Sequence, residues 1–292
     1  MLTVIGTAAI DRNFAVGDIP ARGGDVRARP LSVNPGGRAA NTAARAALLG
    51  VTTRLICRLG DDDAGRQAAD AMAAVERLEV YAQPSSSTPE GLIFITADGE
   101  RTIVFCAQDP IAPSPDDATA GLLVDSKVVW IDVADDELRA GFARQASGSL
   151  RGLPLQHLAA EHAAGRRWDI IAGSLDDAQA PDEQTLLHAA VRVCVVTAGG
   201  RGGWLWMPTR RWRRFDTAPA RAVADTCGAG DAFLGGLLAG LASDWPPELA
   251  VAAARRCGAD AVCETGSWPT ASTLLLGSLR VADCYDTSAR RR

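Results

Sequence analysis

Two carboxylates flank three small residues in Asp225-Thr226-Cys227-Gly228-Ala229-Gly230-Asp231. The apolar stretch that follows, Leu234 to Ala242, is rich in small residues and predicts a buried helix. Small residues at a helix start let backbone N–H groups approach an anion closely, and the helix dipole favours negative charge there. Asp231 falls in the first turn of that helix, beside the anion site so formed. A carboxylate beside a bound phosphate can accept the proton of a hydroxyl that attacks the phosphorus. A plain glycine turn, with Asp231 merely favoured at a helix start, would be spelled the same way. This stretch alone does not decide between the two.

Two further positions carry polar chemistry. Gly36-Gly37-Arg38-Ala39-Ala40-Asn41 leads into a second helix that Gly50 closes. Asn41, on its first turns, donates and accepts at once, which suits a sugar hydroxyl. Asp11 ends the apolar run of residues 2–10, which predicts a buried parallel strand. Ligands lie just past the carboxyl ends of such strands, so Asp11 is placed either to bind hydroxyls or to cap a turn.

The elements that must position these residues follow a rhythm. Val51 to Leu59 predicts a strand, Gly60 to Gly65 a turn and residues 66–78 a helix. Lys127–Val133, Asp169–Gly173 and Val191–Thr197 predict further strands, and Glu137–Ala146 and Pro247–Gly258 helices. Repetition of strand, glycine turn and helix indicates a parallel sheet wrapped by helices. Two segments break the rhythm. Residues 12–35 predict edge strands and loops, and Gly91–Thr96 with Arg101–Phe105 predict a hairpin about Asp98-Gly99. Together they would form a small sheet of their own. A hairpin is also expected over Trp204–Phe215, a short last helix after Pro269, and no pattern emerges from 147 to 170. Trp204, Trp206, Trp212 and Trp245 are expected to pack in the interior, since no basic face accompanies them.

Composition removes several classes. The 292 residues carry a net charge of −5, and the basic clusters at 210–214 and 290–292 are short, which argues against a nucleic-acid partner. No run of 18 apolar residues would span a membrane, and the chain begins as a strand rather than a signal peptide. Seven scattered cysteines without a Cys-x-x-Cys suggest reduced thiols in a cytoplasmic protein. His157, His162 and His188 have no zinc spacing and read as ordinary surface or core residues. The only lysine is Lys127, so no Gly-x-x-x-x-Gly-Lys-Ser/Thr loop exists. Any phosphate must be handled by backbone amides and arginines.

Gly36-Gly37-Arg38-Ala39-Ala40-Asn41-Thr42-Ala43 resembles the N-terminal signature of the ribokinase (PfkB) carbohydrate kinases, and Asp225 to Asp231 resembles their C-terminal signature. Both occur, in the family's order, and the resemblance covers essentially the whole chain. It implies a ribokinase-like α/β three-layer sandwich, one domain over 1–292, with a β-sheet lid from strands at about 12–35 and 88–107. It implies a kinase that phosphorylates a hydroxyl of a small sugar with ATP and Mg²⁺, and with K⁺ in many members. The lid often makes a homodimer contact. By resemblance, Asp231 is the catalytic base and the Gly228, Ala229 and Gly230 amides form the anion hole. Asp11, Gly36, Gly37 and Asn41 match the sugar-binding set. Thr197, Gly199 and Gly202, with Thr226, Gly228 and Gly230, match the ATP site. Asp225 matches a monovalent-cation site.

The chain departs from the pattern at Ser174-Leu175-Asp176-Asp177, where the family has Asn-x-x-Glu to organise Mg²⁺. Asp177 keeps a carboxylate with shorter reach, and Ser174 loses the amide. The usual strand ending in an acidic residue is also absent between 147 and 165, where Leu155-Gln156-His157 stands. A nucleoside kinase of the same family and a non-catalytic sensor that keeps the fold are the alternatives. Arg27, Arg29 and Arg101 are expected as exposed lid charges, or as contacts for an acidic acceptor.

Overall fold

The computed structural model describes residues 1–97, 100–107 and 111–269. The 98–99 turn, the helix expected past Pro269 and the terminal arginines lie outside the described residues. In chain order the elements are β1 (Leu2–Ile5), β2 (Ala9–Ala15), β3 (Arg29–Gly36), α1 (Arg38–Leu48), β4 (Thr53–Gly60), α2 (Asp63–Ala73), β5 (Leu78–Ser85), β6 (Glu90–Ile95) and β7 (Arg101–Cys106). There follow α3 (Asp117–Leu123), β8 (Val128–Ile131), α4 (Asp136–Gln145), β9 (Leu150–Pro154), α5 (Leu158–Ala163), β10 (Ile170–Ser174), α6 (Glu183–His188) and β11 (Val193–Thr197). The remainder is β12 (Gly203–Met207), β13 (Arg211–Phe215), α7 (Ala229–Ala242) and α8 (Pro247–Ala261).

Nine strands form one sheet in the order β13-β12-β11-β10-β9-β8-β1-β4-β5. Its pairs are parallel except for β11–β12 and β12–β13, which form the hairpin expected near Trp204. The strands are apolar on both faces because helices cover both. Val128 and Trp130 of β8 face one core with α1, α7 and α8, while Val129 and Ile131 face the other with α4, α5 and α6. Trp206 is buried, and Trp212 and Trp245 pack against these cores. A second sheet, β3-β2-β6-β7, comes from the two segments that broke the rhythm. Among the described residues no helix is long and apolar enough to cross a membrane.

Three expectations are corrected. Residues 2–10 are not one strand. The chain leaves the large sheet after Ile5 and enters the small one at Ala9. A Cβ on Gly6 would lie 2.7 Å from the Asp132 backbone oxygen and 2.9 Å from the Ala39 Cβ, so the crossing passes through a gap only glycine fits. Asp11 therefore lies inside β2 and not beyond the end of a central strand. The helix expected to reach residue 78 ends at Ala73. Arg77, in the left-handed region at φ 66°, reverses the chain into β5, which pairs parallel with β4. The unassigned stretch 147–170 holds β9 and α5. Gly152 hid β9, yet glycine is required there because a Cβ would approach Trp130 Cε3 to 2.6 Å.

Candidate active site

Gly228 starts α7 in the left-handed conformation, φ 72°, and a Cβ there would lie 2.7 Å from the Ser267 backbone oxygen. Only glycine fits on both counts. The backbone N–H groups of Gly228 and Gly230 have no acceptor among the described residues, while that of Ala229 reaches the Thr226 oxygen at 3.4 Å. These are the orphan donors of a helix start. One turn on, Gly235 lets α7 close on α1: a Cβ there would lie 2.7 Å from the Thr42 oxygen and 2.8 Å from the Arg45 Cβ. That approach brings Asn41 to Asp231 across 190 positions of sequence. Asn41 Nδ2 donates to Asp231 Oδ2 at 2.9 Å. Asn41 Oδ1 is buried without a donor among the described residues, ready to accept from a ligand hydroxyl.

Removal from water pushes the Asp231 carboxyl up from 3.8 to about 6, aided by Asp132 and Asp11 and opposed by Asn41 and Arg38. Asp11 is raised too, mainly by burial, and the hydroxyl of Ser267, which donates to Oδ2 at 2.8 Å, partly offsets it. Its carboxylate occupies a slot between strands. Side chains at Gly36 or Gly91 would collide with it, the Gly91 Cβ at 2.7 Å from Oδ1.

Two cavities meet at Asp231. The larger, about 830 Å³, is lined by Asp11, Gly37, Asn41, Gly228 and Asp231, with Ile103 and Phe105 of β7 on its far side. The smaller, about 260 Å³, is lined by Ser174, Asp177, Thr197 and Gly230. Arg38 and Asp231 border both. Gly36 stands behind Asp11. Gly199 and Gly202 flank the turn after β11 and border neither cavity. Asp225 and Thr226 line neither cavity either. Both are held by Arg101, which thus neither meets an acceptor nor stands as a free charge.

Sequence reasoning passed over four residues that the fold brings here. Arg38 Nε lies 3.2 Å from Asp132 Oδ2 at the rim of the large cavity. Burial raises the Asp132 carboxyl, Arg38 opposes this and Asp177 adds to it, so two carboxylates share this corner. Asp132 follows β8 directly, so the strand-end rule misapplied to Asp11 selects it correctly. Gln156 and His157 line the large cavity just after β9, and burial with the nearby Arg139 and Arg38 charges lowers the His157 pKa. The Ser174 hydroxyl accepts from the Asp176 N–H at 3.2 Å, closing the turn after β10. Among the described residues no group of three or more His, Cys, Asp or Glu side chains is arranged for a metal.

A sequence profile described as pfkB family carbohydrate kinase matches residues 1–140 and 167–273, and so takes in both glycine-opened helices and Asp231. The chain belongs to the pfkB family. It is a phosphotransferase with an alcohol group as acceptor, a sugar kinase of the ribokinase-like fold. It is 29% identical over 281 residues to probable fructokinase-7 of Arabidopsis thaliana, spanning 80% of each chain. A probable sugar kinase from Rhizobium etli CFN 42 superposes with a TM-score of 0.77 at 22% identity, covering 94% of this chain and 96% of the other. Arabidopsis thaliana ribokinase, solved with ribose and ATP, gives 0.76 at 20% identity, covering 96% and 99%.

Proposed function

We propose that this pfkB-family kinase binds a small sugar in the 830 Å³ cavity and that Asp231 takes the proton of the hydroxyl that attacks ATP. The observation that carries this assignment is the position of Asp231, the carboxylate bordering both cavities. Asp11 and the unpartnered Asn41 Oδ1 fix the acceptor hydroxyls, with Gly36 and Gly37 leaving room for them. The phosphates take the smaller cavity, beside Thr197 and Gly230, and none of Thr226, Gly199 and Gly202 lines it. The Gly228, Ala229 and Gly230 amides face the charge that builds on the transferred phosphoryl group, and Arg38 adds a cation between the two sites.

Asp177 and Asp132 fit Mg²⁺, a hard cation held by one or two carboxylates together with substrate phosphates, and their mutual repulsion is what such an ion would relieve. Bound there, the ion would neutralise phosphate charge. The whole chain acts as one domain in this proposal, and the β3-β2-β6-β7 sheet is its lid. Exposed Leu31 and Val33 on one edge strand and Val104 on the other suit a homodimer contact.

Steady-state ATP consumption with a panel of hexoses, pentoses and nucleosides tests the function. Turnover with a free sugar supports it, and no turnover with any acceptor overturns it. One feature favours a second acceptor class, the nucleosides. Ile93, Ile103, Phe105, Ile111 and Leu138 give the cavity an apolar side that a bare sugar leaves unused.

A further inference from the structure

Arg101 opens β7, but its guanidinium leaves the small sheet for the loop ahead of α7. Nη1 donates to Asp225 Oδ1 at 2.8 Å and Nη2 to Thr226 Oγ1 at 2.8 Å. The rest of the Asp225 carboxylate is also filled. Oδ1 accepts from the Cys227 N–H at 2.8 Å and Oδ2 from the Gly266 N–H at 2.9 Å. One carboxylate therefore joins β7, the 225–228 loop and the turn whose Ser267 packs on Gly228. The two side chains are only 23% and 11% exposed, so solvent screens this pair weakly. A monovalent cation does not fit at Asp225, because a guanidinium already stands there.

We propose that Arg101 is the resident cation of this site. It fixes the 225–228 loop, and with it the Gly228 and Gly230 amides, so that phosphoryl transfer needs no monovalent metal ion. The arrangement also links two sites. Arg101, Ile103 and Phe105 share one face of β7 by the two-residue period of a strand, and the latter two line the large cavity. The same face of β7 therefore both lines the acceptor cavity and seats Arg101 on Asp225. Arg101 is a positioning residue: it acts through the loop and touches no reacting atom. The proposal rests on the kinase function given above.

The test compares wild type, Arg101→Ala and Arg101→Lys in KCl and in N-methylglucamine chloride of equal ionic strength. Turnover, acceptor affinity by calorimetry and the thermal midpoint are measured for each. Wild type should be indifferent to K⁺ in all three. Arg101→Ala should lose roughly ten- to a hundredfold in kcat, as expected for a lost charged hydrogen-bond pair, while acceptor affinity changes little. K⁺ or guanidinium ion should restore part of that loss and raise the variant's thermal midpoint, since an ion that binds only the folded chain stabilises it. Arg101→Lys should keep most of the activity. Activation of wild type by K⁺, or an Arg101→Ala enzyme as fast as wild type or blind to K⁺, overturns the proposal. If Arg101→Ala does not fold, K⁺ activation of wild type overturns it and K⁺ indifference of wild type and Arg101→Lys supports it. If wild type turns over no acceptor, the kinase function fails on its own. The thermal midpoints then decide the role of Arg101: a K⁺ response confined to Arg101→Ala supports it and any other pattern overturns it.

Discussion

Replacing Asp231 by Asn should nearly abolish turnover and at the same time stabilise the fold. The replacement keeps the shape of the side chain and an oxygen for Asn41 Nδ2, which donates at 2.9 Å. It removes the base, and general-base catalysis contributes about 10²- to 10⁴-fold, so kcat should fall by that factor while acceptor affinity is largely kept. The stability effect follows from the carboxyl pKa, about 6 in the folded chain against an ordinary 3.8. The sign is fixed by linkage: between these values the folded chain holds a proton that the unfolded chain has released, so stability falls as pH rises through this window. At neutral pH the ionised carboxylate then destabilises the fold by roughly 3 kcal/mol, taking 1.36 kcal/mol per pH unit. Asp231 is only partly buried and borders two cavities, so solvent screening takes away part of this. Desolvation wins, leaving about 2 kcal/mol for Asn to recover, or a rise of about 3–5 °C in thermal midpoint for a chain of this length. Coupled-enzyme kinetics and calorimetric melting at pH 7.5 and pH 4 check both halves. The gain should vanish at pH 4, where the wild-type carboxyl is protonated in the folded chain. Wild-type turnover in Asp231→Asn, or a lower melting temperature at pH 7.5, would refute the argument.

Other consequences are narrower. The base must be ionised, so log kcat/KM should climb with unit slope on the acid side and level off near pH 6; a profile flat from pH 5 to 8 rules out Asp231. Gly91→Ala would place a Cβ 2.7 Å from Asp11 Oδ1, and that terminal oxygen can swing aside without disturbing the strand. We expect the acceptor KM to rise about tenfold or more, with little change in the ATP KM or in melting temperature. Equal changes in both KM values would place Asp11 outside the acceptor site. Asp177→Ala should raise the Mg²⁺ concentration needed for half-maximal rate by about tenfold, and an unshifted Mg²⁺ titration rules out Asp177 as a ligand.

The candidate site was legible wherever the chemistry is local. A helix start presents its amides whatever surrounds it, so spacing marks Gly228 to Asp231 as a candidate, although a plain glycine turn is spelled the same way. Asn41 was legible for the same reason, one turn inside α1. What spacing cannot contain is distance through space. The Asn41–Asp231 hydrogen bond depends on the tight approach of α7 to α1 at Gly235, and the meeting of two cavities at Asp231 depends on the whole sheet order. Asp11 lines the large cavity, but not because it ends a central strand. The apolar run before it hides the step from one sheet to the other, since a break at Gly6 is set by Asp132 and Ala39, both remote in sequence. β5 and β9 were missed because left-handed Arg77 and the tight fit of Gly152 on Trp130 are tertiary features without a local signal.

By itself, then, the amino-acid sequence determined the class of protein, the alternation that builds a parallel sheet, the two glycine-opened helices and the carboxylate in the first turn of the second. The class follows from the resemblance of two motifs to a known family, and the rest from periodicity and from what small residues permit the backbone to do. Tertiary structure decided which charges meet. Burial, not residue type, raises Asp231 to about 6, and it is the fold of the small sheet that carries Arg101 to Asp225 across 124 positions. Electrostatic energy depends on distance and on the exclusion of water, and the folded chain supplies both.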